Sequence, residues 1–342
     1  MIEKLLALIE RRDSFVLTTH DPADADGLGA QMVMACLLRG RGKRVRIVNA
    51  GPVPEQFGFM DPEGAVEEWD AAEHGALVEK SALLILDTAD ESHMGQMREA
   101  VGRAREVFVI DHHERKPGAA RDGICDPSAA STCEIAAEIA LAAGAGIDRA
   151  SAFAAYAGMA YDTGFFAYPK VGPRSFAAAR EMARLGASPA EAHRLLCQSA
   201  PARALLLQQR AMASLRLHRG NSIASQVVRR EDFAEAGALS GDTDGFVNLP
   251  LRSRDIRVSL LVKETPEGKV CCSLRSKGRV NVARVAQGMG WGGHLNASGF
   301  RSSMGLDETV EEALARASEA LDAADAQGPA KRPARPCKEG IG

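Results

Sequence analysis

The chain has no Cys-x-x-Cys pair; its seven cysteines are scattered, and only Cys271 and Cys272 are neighbours. Such an odd, unpatterned set argues against a disulfide framework and a thiolate zinc site, and it suits reduced thiols in a cytoplasm. No uninterrupted apolar stretch is long enough to span a bilayer, so no membrane association is expected. The N-terminus lacks the basic run, apolar core and small-residue cleavage site of a secretory leader. A net charge of −3 leaves no basic excess, which argues against extended binding to duplex DNA or RNA. A short anionic ligand stays compatible, because a local basic pocket needs only a few residues. No internal repeat is present.

What is there is ordinary globular material. The 342 residues are 46% hydrophobic and 25% charged, enough to bury a sizeable core and more suggestive of two domains than one. The first half alternates strand-like and helix-like segments. Ser14–Thr19 is a short β-branched run ending at His20, and apolar residues then recur at helical spacing from Gly27 to Leu38. Lys43–Val48 alternates polar and apolar; Ser81–Leu86 and Val107–Ile110 are continuous apolar runs ending at Asp87 and Asp111. Such strands, separated by helices, indicate an α/β fold with a parallel sheet flanked by helices. Helical patterns follow over 132–143, 149–160, 174–185 and 189–217, the last broken near Pro201. After Ser222 the pattern changes to a smaller α/β domain: strands over 223–228, 256–262 and 269–275, helices over 282–289 and 308–324. Cys36, Cys133 and Cys197 read as small core hydrophobes on helices. His74, His93, His193 and His218 read as surface residues, and Arg174 as a solvated arginine at a helix start.

Three strand-like runs end on potential metal ligands: His20, Asp87 and Asp111-His112. In open parallel sheets, ligands bind beyond the carboxyl ends of the strands, so residues distant in sequence converge there. His20-x-x-x-Asp24-x-Asp26 lies between a strand end and a helix start and is followed by Gly27 and Gly29, which permit close backbone approach. A lone Asp at such a place would be read as a helix cap. Asp87 alone is equally a ligand or a cap, whereas paired histidines after an apolar strand have few structural explanations. Asp162, in Tyr161-Asp162-Thr163-Gly164, would by itself be a helix-end aspartate.

Together, His20/Asp24/Asp26, Asp87, Asp111-His112-His113 and Asp162 resemble the four motifs of the DHH phosphoesterase superfamily. Gly290-Trp291-Gly292-Gly293-His294-Leu295-Asn296-Ala297-Ser298-Gly299 resembles the glycine-rich signature of the DHH-associated domain. The likeness runs in order from about residue 10 to 325. The length, and the Ser273-Leu274-Arg275-Ser276 run, look most like the oligoribonuclease and pAp-phosphatase branch. The resemblance implies a catalytic metal-binding domain over 1–190 and a substrate-binding domain over 222–327; the helical pattern over 191–221 reads as the linker between them, and the proline-containing, basic tail over 328–342 as disordered. The resemblance also implies an active site in the cleft between the domains and two divalent cations, manganese or alternatively magnesium. His20, Asp24 and Asp87 would hold one, Asp26, Asp87, His112 and Asp162 the other, with Asp87 bridging. Asp111 would orient a histidine, and His113 would stabilise the substrate phosphate. Arg275, Ser276, Trp291, Gly292, Gly293 and His294 would bind the substrate.

Two positions depart from the family pattern: Trp291 stands where a further glycine is expected, and Gly27 where a small hydroxyl residue is common. Ser131, Thr132 and Glu134 match a recurrent family segment, with a helix N-cap an equally good reading of Ser131. The implied activity is hydrolysis of short nucleotides: oligoribonucleotides, 3′-phosphoadenosine 5′-phosphate, or linear or cyclic dinucleotides. Inorganic pyrophosphatase or polyphosphatase chemistry and single-strand exonuclease action are the alternatives within the superfamily. A non-catalytic nucleotide- or RNA-binding protein is the alternative of another class. An exposed helical or strand edge in the first domain would suit a homodimer.

Overall fold

A computed structural model describes residues 2–114, 121–290 and 293–327. The chain divides into two compact units, Met1–Ser199 and Ala200–Gly342. The first opens with helix α1 (Ile2–Arg11), which buries Leu5, Leu8 and Ile9 along one face. Strand β1 (Ser14–Thr18), helix α2 (Ala25–Gly40) and strand β2 (Arg44–Asn49) follow. The short β3 (Val66–Glu68) and helix α3 (Ala71–Lys80) precede β4 (Ala82–Leu86). Helix α4 (Arg98–Arg103), β5 (Glu106–Asp111) and β6 (Gly123–Cys125) complete the sheet. Helices α5 (Thr132–Ala142), α6 (Arg149–Asp162), α7 (Pro173–Arg184) and α8 (Pro189–Cys197) close the unit.

All pairings in this sheet are parallel, in the order β3-β2-β1-β4-β5-β6. Its central strands are apolar on both faces because both are covered. Phe15, Leu17, Leu84 and Ile110 enter the main core with α2, α5 and α6, while Val16, Leu83, Ile85 and Val109 enter a smaller core with α3 and α4. Each such fully buried side chain contributes roughly 1.5–3 kcal/mol of transfer free energy. The chain runs outward from β1 to β2 and β3, then returns to place β4 on the other side of β1. That reversal opens a crevice beyond the carboxyl ends of β1 and β4.

Two glycines let the helices over this crevice approach closely. A Cβ on Gly158 of α6 would lie 2.4 Å from Cys133 Sγ and 2.7 Å from the Ala25 carbonyl oxygen. One on Gly29 of α2 would lie 2.5 Å from the Ala154 carbonyl oxygen. This contact sets the start of α2, with Asp26, beside the end of α6, with Asp162.

The second unit contains α9 (Ala202–Ala213), β7 (Arg216–His218), β8 (Ile223–Val228) and α10 (Arg230–Ala236). Then come β9 (Val258–Glu264), β10 (Val270–Ser276), α11 (Ala283–Gln287), β11 (Gly293–His294), β12 (Ala297–Ser302) and α12 (Leu306–Ala326). Its sheet is mixed, in the order β11-β12-β10-β9-β8-β7, with only β8 and β9 parallel. Leu260 and Leu274 pack with α11 and α12, and Leu261 with Leu207 of α9 and Phe233 of α10.

The helical pattern expected over 189–217 stops short. Residues 198–201 separate α8 from α9, and Arg216–His218 form a strand paired with β8. The intervening Arg219, Gly220 and Asn221 all have positive φ, so hairpin geometry overrides helical periodicity there. The segment 191–221, expected as a linker, is shared between the two units. The expected tail, 328–342, lies outside the described residues. Cys133 is buried as expected, but Cys36 is half-buried and Cys197 is exposed at the end of α8. His74, expected at the surface, is buried: its ring stacks on Trp69 and Nε2 meets Glu67 Oε2 at 3.2 Å.

Gly158→Ala should destabilise the first unit by about 1–3 kcal/mol through overpacking. Urea unfolding monitored on the full chain reads this, and an unchanged midpoint would show that the helices have slack.

Candidate metal centre

Sheet order decides how the site residues meet. His20 follows β1, Asp87 follows β4 and His112 follows β5, and these three strands are adjacent with β4 in the middle. Asp87 therefore faces both neighbours. Its Oδ2 lies 3.5 Å from His20 Nε2, and its Oδ1 lies 3.6 Å from His112 Nε2. His20 Nε2 is also 3.6 Å from Asp24 Oδ1, and His112 Nε2 is 3.5 Å from Asp162 Oδ2. Donor atoms of His20, Asp24 and Asp87 lie within 4.8 Å of one another, and so do those of Asp26, His112 and Asp162. A third such group is Asp87, His112 and His113.

These separations exceed hydrogen-bond length. Two donors each about 2.1 Å from a common ion stand about 3.0–3.4 Å apart, close to what is seen. The electrostatics agree. Burial, then repulsion from Asp87 and Asp24, pushes Asp26 well above the usual carboxylate range, and burial with repulsion from Asp26, Asp87 and Asp24 does the same to Asp162. At His20 burial opposes protonation, but Asp24 and Asp87 outweigh it and raise the imidazole. Asp24 responds in the opposite sense: His20 and two backbone N–H groups overcome burial and hold it at about 2. At His112 burial wins over Asp87 and favours the neutral ring, the form that ligates metals. In the groups His20/Asp24/Asp87 and Asp26/His112/Asp162, oxygen donors with one imidazole each, crowded and carrying excess negative charge, fit a divalent cation at each of two positions. The nearby Cys133 is no competing ligand, since burial holds its thiol protonated and Sγ donates to the Asp26 carbonyl.

Other contacts hold these groups in place. Asp24 caps α2, its Oδ1 accepting from the N–H groups of Asp26 and Gly27, so cap and candidate ligand are one residue. The first turn of α5 clasps Asp26: Thr132 N donates to Oδ2 at 2.6 Å and Cys133 N to Oδ1 at 2.8 Å. Thr132 Oγ1 donates to Asp87 Oδ1 at 2.7 Å. Sequence singled out Thr132 without a role; the structure makes it the group that orients Asp87. Ser131 caps α5, accepting from Glu134 N. Asp111 Oδ1 meets His113 Nδ1 at 2.7 Å and accepts from His113 N, so the histidine it orients is His113. Asp87 itself has φ +64°, a left-handed conformation uncommon outside glycine. Gly27 has a steric reason: a Cβ there would lie 2.2 Å from Thr19 Oγ1, so Thr19 fills the space of the expected hydroxyl residue.

Beyond Asp162, residues Gly164, Phe165 and Phe166 all have positive φ. Two consecutive aromatic residues in that region cost about 1–3 kcal/mol each. The turn ends at Lys170, whose Nζ lies 3.5 Å from the His112 carbonyl oxygen. Sequence reading missed Lys170; its only signal was a cation shortly after an expected ligand. Arg174 is not simply solvated: it pairs with Asp126, Glu134 and Glu138. A fourth acidic group, Glu67, Glu73 and His74, is matched by the Arg46 guanidinium, which accounts for it structurally.

In the second unit, Arg275 is half-buried on β10 and donates to the Leu274 carbonyl. Ser276 is buried, its Oγ donating to Val280 O and accepting from Asn296 Nδ2, which ties down the loop after β10. Gly293 packs where a Cβ would lie 2.4 Å from Ser298 Cβ. Trp291, Gly292 and the side chain of His294 lie outside the described residues.

Thr132→Val removes the donor to Asp87 and should weaken divalent-cation binding about 10–100-fold by calorimetry, with Thr132→Ser restoring it. A second expectation follows from crowding. Asp26 and Asp162 hold protons more tightly in the folded than in the unfolded chain. Their contribution to metal-free stability is thus complete below the ordinary carboxylate pKa and is lost as pH rises through their raised values. Asp162→Asn should therefore raise the metal-free thermal midpoint at neutral pH while lowering cation affinity. A lower midpoint would contradict the crowding.

Comparison with known proteins accords with this geometry. Residues 14–159 match the DHH family N-terminal domain, and residues 220–323 match the DHHA1 domain. A Thermus thermophilus protein named bifunctional oligoribonuclease and PAP phosphatase NrnA is 27% identical over 313 residues, 89% of each chain. The cyclic-di-AMP phosphodiesterase GdpP of Bacillus subtilis is 29% identical over 93% of this chain, which spans 49% of that protein. The crystal structure of an exopolyphosphatase-related protein from Bacteroides fragilis shares the fold, with a TM-score of 0.88 at 23% identity over 95% of this chain and 97% of that one. With both domain models matched in sequence order, the chain carries a DHH family N-terminal domain, of a family whose enzymes depend on divalent metal, followed by a DHHA1 domain.

Proposed function

We propose that this chain is a manganese-dependent phosphoesterase that hydrolyses short nucleotides, namely oligoribonucleotides of a few residues, 3′-phosphoadenosine 5′-phosphate, or linear or cyclic dinucleotides. The observation that carries this is Asp87, one buried carboxylate whose two oxygens face separate donor groups. His20, Asp24 and Asp87 are assigned to one cation, and Asp26, Asp87, His112 and Asp162 to the other. Manganese, or alternatively magnesium, suits these oxygen-rich sets. When bound, the cations would supply Lewis acidity and lower the pKa of a water enough to make it a nucleophile towards phosphorus.

The chain's own groups do the rest. Asp111 holds the His113 ring, and its charge, against the cost of burial, raises the imidazole pKa. His113 is thereby kept as a donor for an anionic phosphate oxygen. Thr132 and the α5 amides stop the carboxylates of Asp87 and Asp26 from turning away. In the second unit, Arg275 is assigned to a fork-like grip on substrate phosphate, with Ser276, Trp291, Gly292, Gly293 and His294 as further contacts. The likeness to relatives named for oligoribonuclease, PAP phosphatase and cyclic-di-AMP phosphodiesterase activity supports the substrate class. The described free thiols suit a reducing cytoplasm. Among the described residues, no helix is long and apolar enough to cross a membrane.

Assay of the purified chain with manganese against pAp, pApA, cyclic di-AMP, short RNA and pyrophosphate should show turnover of at least one nucleotide. Nucleotide binding without turnover of any would overturn the enzymatic reading. Asp87→Ala should lower turnover by at least about 10²–10³-fold.

A further inference from the structure

The turn after Asp162 is built in a way that the metal centre does not require. It leaves the end of α6 through three consecutive left-handed residues, Gly164, Phe165 and Phe166. The Thr163 carbonyl accepts from Ala167 N at 3.0 Å and Tyr168 N at 3.1 Å, which locks the turn. Its first two aromatic rings are anchored. Phe165 lies edge-on to His193, while Phe166 stacks on Phe176 and packs against Tyr156. The third, Tyr168, is 49% exposed. Its ring rests on Gly164, where a Cβ would come within 2.6 Å of it. Lys170 then returns to the metal centre beside the His112 carbonyl, at 3.5 Å. Its side chain is exposed and, among the described residues, forms no ion pair. A lysine ammonium has three donors, and this long contact occupies at most one.

We propose that this turn is a substrate ledge, in which Lys170 pairs with a second phosphate of the substrate and Tyr168 presents its ring to a base. The proposal deepens the reading of the chain as a nucleotide phosphoesterase and rests on it. A strained backbone spends stability to fix a shape, and the shape fixed here holds an aromatic face and a cation at the rim of the carboxylate cluster. An exposed ring such as that of Tyr168 is sequence-tolerant towards bases, since every base has a π-face. The cation rewards ligands that carry a phosphate besides the one being cleaved.

The test compares wild type, Lys170→Met, Tyr168→Ala and a control, Lys80→Met, an exposed lysine at the end of α3. Binding of pAp, AMP and pyrophosphate is measured by calorimetry with calcium, manganese affinity by calorimetry, and pApA turnover with manganese. Lys170→Met should weaken pAp about 10-fold or more and AMP much less. Tyr168→Ala should weaken pAp and AMP about 5-fold or more while sparing pyrophosphate. Both should raise KM for pApA more than they lower kcat, with manganese affinity and Lys80→Met at wild-type values. Equal binding by the variants and wild type would overturn the ledge while leaving the hydrolase reading intact. Loss of manganese affinity in Lys170→Met would also overturn it, since the lysine would then only support His112 and Asp162. Nucleotide binding by wild type without hydrolysis, with both variants impaired, would sink the hydrolase reading and support the ledge. No nucleotide binding by wild type would overturn both.

Discussion

Four carboxylates, those of Asp24, Asp26, Asp87 and Asp162, are forced together in one largely buried crevice, and most of the first unit can be understood as a response to that repulsion. Like charges at such separations in a low-dielectric setting repel strongly unless protons or cations intervene. Protonation is the weaker remedy, and the raised affinities of Asp26 and Asp162 for protons show how hard the cluster pulls on positive charge. Divalent cations answer the same need with two charges each. Affinity for metal and intrinsic instability of the carboxylate cluster are thus one property seen from two sides.

Holding such a cluster requires a stiff frame. Here it comes from backbone more than from side chains. The start of α5 grips Asp26 with two amides, and the helix end itself favours negative charge there. Glycines at 29 and 158 remove the spacing that side chains would impose between α2 and its neighbours. Asp87 accepts an unfavourable backbone conformation to turn its carboxylate between two histidines. Each device trades stability for position, a pattern common where a site must be preorganised.

Much of this was legible in the residues. Apolar runs ending in His20, Asp87 and Asp111 announced both the parallel sheet and the convergence of their ends. What could not be read was lateral order: only coordinates show β4 lying between β1 and β5, and so why Asp87 faces both His20 and His112. Short elements such as β3, β6 and α4 carry too few residues for a period to register. The hairpin at Arg219–Asn221 defeated a helical pattern because turn geometry is a tertiary choice. His74 looked like a surface histidine because nothing in its neighbours announced Trp69 as a stacking partner or Glu67 as a distant acceptor. Thr132 stood out, yet its job depends on a contact 45 residues away.

The lateral order of the strands has one further consequence. Neighbouring strands in a sheet are spaced by about 4.8 Å, whatever their sequence. His20 and His112 hang from strands two places apart, with Asp87 on the strand between. The sheet therefore acts as a ruler: its hydrogen-bond pitch, not the length of any side chain, sets the scale on which the two histidines are separated. A length standard made of backbone cannot be retuned by point mutation, so drift in loops and helices can alter which molecules are admitted without altering the gauge of the centre that acts on them.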